Sequence, residues 1–216
     1  MGPATSVDHA DVQARALAYE VLTPLYDLAL EVLGFGRSFK DGIARLAEVG
    51  TGQDVLDLGC GTGTLLQALV ARQPDGRYVG LDPDPQVLAR ARRRLTGATV
   101  ELLEGYGEEL PFEADTFDLV VSTLMFHHLT DAAKQATLAE VGRVLRPAGR
   151  LLLVDFGRPR SGLPRALLTV GSIFDGRHNM RANLAGELPA LLNAAGFTVL
   201  EVHPPHREVR YLLART

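Results

Sequence analysis

The sequence predicts an α/β fold with a doubly wound, mostly parallel, seven-stranded sheet of the Rossmann-like type. One observation is the segment 54–64, in which the apolar residues Val55, Leu56 and Leu58 precede glycines at alternate positions and a helical segment. A second is the alternation of short apolar segments with helical ones, which is typical of parallel sheets with right-handed crossovers. The length of 216 residues suits one α/β domain with additions better than two domains.

The remaining elements follow from the same patterns. Strands are predicted at residues 55–58, 77–82, 99–103, 117–122, 150–155, 197–202 and 208–213. The last two flank Pro204 and Pro205, and their short connection indicates an antiparallel pair at one edge of the sheet. Residues 11–49 are predicted to form N-terminal helices that cover a ligand site, and residues 157–196 a helical insertion near it. A single domain is therefore predicted over residues 1–216.

The turn after the first strand is predicted to approach a ligand closely. Gly59, Gly61 and Gly63 permit a tight turn without a Cβ, and the helix that follows offers free N–H groups at its start. A dinucleotide fingerprint places its third glycine one position later, where this chain has Thr64. The small side chain of Cys60 fits inside such a turn. The spacing therefore disfavours a dinucleotide as the ligand.

Two carboxylates accompany this turn. Asp57 lies beside it, where a negative charge repels a pyrophosphate and attracts an ammonium or sulfonium group. Asp82 ends the second strand, at the position where a ribose diol is bound in nucleotide-binding folds. Asp84 and Pro85 supply the N-cap and first turn of the next helix, so capping does not require Asp82. A nucleoside cofactor that carries positive charge is predicted.

The segment Val55-Leu-Asp-Leu-Gly-Cys-Gly-Thr-Gly63 closely resembles motif I of the class I S-adenosylmethionine-dependent methyltransferases. Successive blocks of that family are resembled by residues 105–112, 115–118, 122–129, 140–149 and 151–155. With Tyr26, these blocks are most similar to the branch that contains the ubiquinone and menaquinone biosynthesis C-methyltransferases. The resemblance implies S-adenosylmethionine as cofactor and S-adenosylhomocysteine as product. The implied cofactor contacts are Tyr26, Asp57, Gly59, Cys60, Gly61, Gly63, Asp82, Pro83, Gly105, Tyr106, Gly107 and Ser122.

The resemblance also implies roles for individual residues, and the chain differs from the family pattern in one block. Asp57 would orient the ammonium group of the cofactor, and Asp82 would hold the ribose hydroxyls. The family's third-strand block usually reads Gly-Asp-Ala-Glu, with the aspartate accepting a hydrogen bond from adenine; Tyr106 and Gly107 take the middle two places here. Tyr106 would stack on adenine or offer its hydroxyl instead. Tyr26 either closes over the cofactor or packs as a core residue of an amphipathic helix.

The candidate catalytic residues lie after the fourth strand and at the end of the fifth. His127 and His128 titrate near neutrality and could act as a general base, which is required only when the acceptor carries a proton that must leave. The alternative is that one histidine packs between loop and helix while the other bonds to the backbone. Asp155 is a third candidate, or a cap for the turn that follows it. No metal site is predicted, because tandem histidines in extended chain point to opposite sides.

Composition and charge narrow the function further. The net charge of −4 and pI near 5.9 argue against a nucleic-acid partner, and the single cysteine, Cys60, excludes a disulfide within the chain. The sequence has no apolar stretch long enough to span a membrane and no secretory signal, so a cytoplasmic location is expected. The predicted partner is a small-molecule acceptor, a quinol or another aromatic or lipid-like compound, with peripheral membrane contact if it is a lipid. Competing interpretations are a degenerate S-adenosylmethionine-binding protein and an NAD(P)-dependent oxidoreductase.

Overall fold

The computed structural model describes residues 35–158, 179–201 and 209–216, which contain seven strands and six α-helices. The strands are β1 (Asp54–Leu58), β2 (Arg77–Asp82), β3 (Val100–Glu104), β4 (Phe117–Thr123), β5 (Leu145–Phe156), β6 (Thr198–Glu201) and β7 (Val209–Arg215). The helices are α1 (Arg37–Leu46), α2 (Thr64–Arg72), α3 (Pro85–Arg94), α4 (Asp131–Val144), α5 (Arg181–Ala185) and α6 (Leu188–Ala194), and a 3₁₀ turn spans Phe126–His128.

The chain divides into two compact units, residues 1–40 and 41–216. In the first unit, the rings of Phe35 and Phe39 pack edge to face with their centroids 5.3 Å apart. The second unit contains the sheet. Tyr26 and most of the predicted cover helices lie outside the described residues, and of the predicted insertion only α5, α6 and their flanking residues are described.

All seven strands join one sheet in the order β3-β2-β1-β4-β5-β7-β6. The first five strands in this order are parallel, which confirms the predicted doubly wound α/β fold. β7 runs antiparallel to both β5 and β6, so the predicted antiparallel pair is present. β7 lies one position inside the edge and β6 forms the edge itself.

β5 begins at Leu145, earlier than the apolar run at residues 150–155 predicts. The sequence predicts a turn between residues 146 and 149, whereas β5 already pairs at Leu145, opposite Phe117 of β4. The register then shifts, and the next paired residues are Leu119 and Arg150. Ala148 adopts φ 65°, a left-handed conformation that fits an irregular stretch within a strand. The turn residues are thus an irregularity within β5, because pairing with β4 continues on both sides of them.

The centre of the sheet is buried on both faces. β1 and β4 are buried along nearly their whole length, as expected for parallel strands covered by helices on both sides. The strand order reverses direction between β1 and β4, because the chain continues from β1 to β2 on one side and returns to β4 on the other. Ligands of such sheets bind at the carboxyl ends of the strands beside this point. The fold therefore directs attention to the residues that follow β1, β2, β4 and β5.

Candidate active site

Three glycines shape the turn that follows β1. Gly59, Gly61 and Gly63 adopt φ values of 74°, 55° and 75°, all in the left-handed region that favours glycine. A Cβ on Gly59 would lie 2.6 Å from Cγ of Met125, and one on Gly63 would lie 3.2 Å from Cβ of Ala91. A Cβ on Gly61 would meet no atom within 4 Å. The turn is therefore packed at its two ends and open in its middle, where a ligand can approach the backbone.

The carboxylate of Asp82 is tied to this turn. Its Oδ2 accepts a hydrogen bond from the N–H of Gly61 at 2.9 Å, and its Oδ1 accepts one from the N–H of Asp84 at 3.0 Å. Asp84 caps α3 by accepting from the N–H groups of Gln86 and Val87, as the sequence predicts. Because each carboxylate oxygen accepts two hydrogen bonds, Asp82 retains capacity for a ligand hydroxyl. Burial raises the pKa of Asp82 above its ordinary value.

A second carboxylate lies on the other side of the turn. Asp57 of β1 is 1% exposed and pairs in register with Gly80 of β2 and Val121 of β4. Burial, together with the charges of Asp57 and Asp82, raises the pKa of the Cys60 thiol far above its ordinary value. The thiol therefore stays protonated. The carboxylates of Asp57 and Asp82 beside the turn suit a sulfonium or ammonium group better than a phosphate.

Arg94, at the end of α3, holds the turn from outside, and sequence reasoning missed it. Its Nη1 donates to the carbonyl oxygen of Thr62 at 2.6 Å, to Oγ1 of Thr64 at 2.8 Å and to Oγ1 of Thr62. The arginine-rich end of α3 predicts a solvated face, which Arg93 fits because it is exposed. Helical spacing could have revealed the difference: Arg94 lies three residues after Ala91, which packs against Gly63.

Replacing Arg94 with alanine is expected to weaken binding of S-adenosylhomocysteine, the product that the resemblance implies, about tenfold, or about 1.4 kcal/mol. The variant loses the donors that fix the Thr62 carbonyl and the Thr64 hydroxyl, so the glycine turn samples conformations that do not fit a ligand. Calorimetric titration measures the effect. Arg93→Ala, on the exposed face of the same helix, is the matched control for net charge. Equal losses of affinity in the two variants would contradict the structural role of Arg94.

The segment after β3 contains the residues expected to flank adenine. The N–H of Gly105 donates to the carbonyl oxygen of Asp82 at 3.3 Å, so this segment lies beside the β2 carboxyl end. Tyr106 is half-buried. A Cβ on Gly107 would lie 2.9 Å from Cγ2 of Thr137. The nearby threonine of α4 explains why glycine stands where the resembled family usually has alanine.

The hydroxyl of Ser122, a predicted cofactor contact, is committed to the sheet. Ser122 is fully buried, and its Oγ donates to the carbonyl oxygen of Leu58 at 3.0 Å, which links β4 to β1. The chain then passes through Leu124, whose φ of 54° is unusual for leucine. The N–H of Leu124 donates to the carbonyl oxygen of Val154 at 2.8 Å and fixes this bend against β5. The bend leads directly into the 3₁₀ turn that contains the two histidines.

His127 and Asp155 form a buried pair at the carboxyl ends of β4 and β5. Nδ1 of His127 lies 2.9 Å from Oδ1 of Asp155, and the His127 N–H donates to Oδ2 of the same carboxylate at 3.3 Å. His127 is 5% exposed and Asp155 is fully buried. Burial acts to raise the pKa of Asp155, but the interaction with His127, together with the N–H of Phe156 and the nearby His128, outweighs it, so the pKa of Asp155 is lowered. The carboxylate therefore stays ionised and orients the imidazole.

The other predicted catalytic residue, His128, occupies a different environment. Its side chain is exposed, and its ring centroid lies 3.9 Å from that of His127. The ring of Phe156 packs edge to face on His127 at 4.9 Å. The structure thus brings His127 and Asp155 together and leaves His128 at the surface. No group of three or more His, Cys, Asp or Glu that could hold a metal ion occurs within residues 35–158, 179–201 and 209–216.

Comparisons with known proteins agree with this geometry. The family described as "Methyltransferase domain" matches residues 55–149. An uncharacterized methyltransferase of Synechocystis is 37% identical over 157 residues, covering 72% of this chain and 71% of the relative. A demethylmenaquinone methyltransferase of Thermus thermophilus is 33% identical over 203 residues, covering 84% and 91%. A solved S-adenosylmethionine-dependent methyltransferase of Aquifex aeolicus shares the fold, with a TM-score of 0.64, 21% identity and coverage of 82% and 88%.

An open sheet of this order with a G-x-G-x-G turn between two carboxylates defines a class I methyltransferase. The chain belongs to the S-adenosylmethionine-dependent methyltransferases. Its cofactor is S-adenosylmethionine, which fits the open middle of the glycine turn and the carboxylates of Asp57 and Asp82 beside it. The NAD(P)-dependent and non-catalytic interpretations are thereby set aside. No helix in the described part of the chain is long and apolar enough to cross a membrane.

Proposed function

We propose that this methyltransferase acts on a small acceptor that carries an acidic hydroxyl, such as a quinol, with His127 as general base. The observation that carries this proposal is the buried His127–Asp155 pair, whose Nδ1 and Oδ1 atoms lie 2.9 Å apart. A methyltransferase whose acceptor carries no dissociable proton needs only proximity and alignment. A buried histidine oriented by a carboxylate is the arrangement of a general base.

The proton transfer follows from the hydrogen bonds. Because Asp155 is ionised, His127 keeps its proton on Nδ1 and donates it to Oδ1, which leaves the lone pair on Nε2. Nε2 then takes the proton of the acceptor hydroxyl as the acceptor gains its methyl group. Asp155 stabilises the resulting imidazolium and is not itself protonated. The proton subsequently leaves to solvent.

The cofactor contacts of the proposal come from β1, β2 and the turns that follow them. When bound, S-adenosylmethionine supplies an electrophilic methyl group on its sulfonium, and S-adenosylhomocysteine leaves. The open Gly61 backbone lies under the methionine and ribose parts, and Asp82 accepts from the ribose hydroxyls. Asp57 orients the ammonium group. Gly105, with the two residues after it, flanks adenine.

The quinol assignment draws on two kinds of support. The Thermus thermophilus relative is named a demethylmenaquinone methyltransferase, and this chain covers 91% of it. Phe156 places an aromatic ring against His127, which suits an aromatic acceptor. Residues 11–49 and 157–196 are proposed to select the acceptor, since they are additions to the sequence that forms the sheet.

An acceptor pair tests this proposal. The protein is incubated with methyl-labelled S-adenosylmethionine and either 1,4-naphthohydroquinone, kept reduced, or its dimethyl ether. The two compounds share a ring system and differ in the dissociable hydroxyl protons. Labelled product is expected from the hydroquinone and none from the ether. Equal labelling of both, or labelling of simple amines in preference to the hydroquinone, would contradict the proposal.

A further inference from the structure

The carboxylate of Asp155 is surrounded by donors from three parts of the chain. Its Oδ1 accepts from Nδ1 of His127 at 2.9 Å, from the N–H of Phe156 at 2.7 Å and from Nδ2 of Asn183 at 3.3 Å. Its Oδ2 accepts from the N–H of His127. Asn183 belongs to α5, outside the strands that carry the pair. It is the one side chain besides His127 seen to donate to this carboxylate within the described residues.

The side-chain amide of Asn183 acts as a hydrogen-bond donor at the end of β5. Asn183 is fully buried, and its Nδ2 also donates to the carbonyl oxygen of Phe156 at 3.2 Å. Its Oδ1 is buried and accepts no hydrogen bond within the described residues. The opposite orientation of the amide would place Oδ1 against two oxygen acceptors, which is repulsive. Both amide hydrogens therefore point at the end of β5, and one of them fixes the Asp155 carboxylate.

We propose that Asn183 is a positioning residue, which holds the Asp155 carboxylate so that His127 keeps its proton on Nδ1 and presents Nε2 to the acceptor. This inference rests on the proposed role of His127 as general base. Without the amide, Oδ1 of Asp155 loses one of its three donors, so the carboxylate is held less firmly. The imidazole that bonds to it is then less well oriented, and its preference for the Nδ1–H tautomer weakens.

A buried lysine anchors the segment that carries Asn183. Lys134 of α4 is fully buried, and its Nζ donates to the carbonyl oxygens of Leu129, at 2.9 Å, and Asn179. Nδ2 of Asn179 donates to the carbonyl oxygen of His128 at 2.7 Å. Burial lowers the pKa of Lys134. These bonds tie the residues before α5 to the 3₁₀ turn that contains His127, so Asn183 and the histidine are held by one polar network.

Several charged groups of the described residues lie near this network, among them Arg210 of β7, which pairs in register with Asp155. Besides His127, the exposed His128 and the ammonium of Lys134 interact electrostatically with Asp155. Lys134 in turn faces Asp131, whose Oδ1 lies 3.8 Å from Nζ, and Arg181 and Glu187 from α5 and its end. Substitution of the neutral Asn183 by leucine leaves all these charges unchanged. Its effect on His127 is therefore an effect of the lost amide.

The experiment compares Asn183→Leu and the smaller Asn183→Ala with the wild-type protein. Two readouts are combined: the rate at saturating S-adenosylmethionine and the tautomer of His127 from its ring ¹⁵N shifts. In both variants we expect kcat to fall about tenfold and the Nδ1–H tautomer to lose its predominance. The Kd for S-adenosylhomocysteine is expected to stay within about twofold, since Asn183 is not among the proposed cofactor contacts. Asn193→Leu, on the exposed side of α6, is the matched control and should behave as wild type.

The outcomes separate this inference from the proposed function. A folded Asn183 variant with wild-type kcat and an unchanged tautomer would overturn the positioning role. A changed tautomer with unchanged kcat would uphold the influence of Asn183 on the His127 ring. It would overturn the effect of that influence on catalysis, and with it the role of His127 as general base. If Asn183→Leu fails to fold, as judged by S-adenosylhomocysteine binding, Asn183→Ala decides, because it removes the donor and adds neither a charge nor a bulkier side chain.

Discussion

Replacing His127 with asparagine is expected to lower kcat by about 10²- to 10⁴-fold, the range for loss of a general base. Asparagine can keep a hydrogen bond to the Asp155 carboxylate, because its Nδ2 lies near the position of the imidazole Nδ1. What it cannot supply is the lone pair at Nε2. The cofactor contacts are untouched, so the Kd for S-adenosylhomocysteine is expected to stay within about twofold. Steady-state kinetics with the hydroquinone acceptor measure the first quantity, and calorimetry measures the second.

The matched control for this variant is His128→Asn. His128 belongs to the same 3₁₀ turn and is exposed, so its loss changes the local charge without removing a buried base. We expect its kcat to remain close to wild type. Full activity of His127→Asn would show that no proton passes through this residue.

Replacing Asp82 with asparagine is expected to weaken S-adenosylhomocysteine binding about 100-fold, because hydrogen bonds to a charged group contribute about 1.5–3 kcal/mol each. Asparagine offers one acceptor oxygen where the carboxylate offers two. It therefore cannot accept from the N–H groups of Gly61 and Asp84 as Asp82 does and also hold two ribose hydroxyls. Calorimetric titration measures the change, and a thermal melt of the free protein separates it from loss of fold.

Asp84→Asn is the control, because asparagine caps a helix as well as aspartate does. The pH dependence provides a second check on Asp82. Burial raises its pKa, and the ionised form is the one that accepts from ribose. Affinity for S-adenosylhomocysteine should therefore decline as the pH falls, and the decline should begin at a higher pH than for an ordinary carboxyl group. Undiminished affinity in Asp82→Asn would remove this residue from the site.

The parts of the site that the sequence predicts lie in short segments whose backbone conformation depends on neighbouring residues. The strand, glycine turn and helix around Gly59, Gly61 and Gly63 could be predicted because only glycine tolerates the left-handed backbone there. Asp82 could be separated from a capping role because Asp84 has the better capping position. Each of these inferences needs only the chain within a few residues of the turn.

The parts that were missed depend on contacts between distant segments. Arg94 is one arginine among several, and only its packing against the glycine turn distinguishes it. Asn183 reaches Asp155 across 28 positions, and no local pattern predicts which polar residue of a helical insertion is buried. Ser122 stays a predicted cofactor contact, and its hydrogen bond to the carbonyl of Leu58 on the neighbouring strand is one that no local pattern predicts. The choice among such partners is made by tertiary structure.

Calorimetric titration of the wild-type protein with S-adenosylmethionine, S-adenosylhomocysteine and NADH tests the central claim most directly. The claim is that the turn between Asp57 and Asp82 binds a positively charged nucleoside cofactor. It predicts micromolar binding of the first two compounds, with one site per chain, and no binding of NADH, whose pyrophosphate meets the charges of both carboxylates. Binding of NADH in preference to S-adenosylmethionine, or no binding of either S-adenosyl compound, would contradict it.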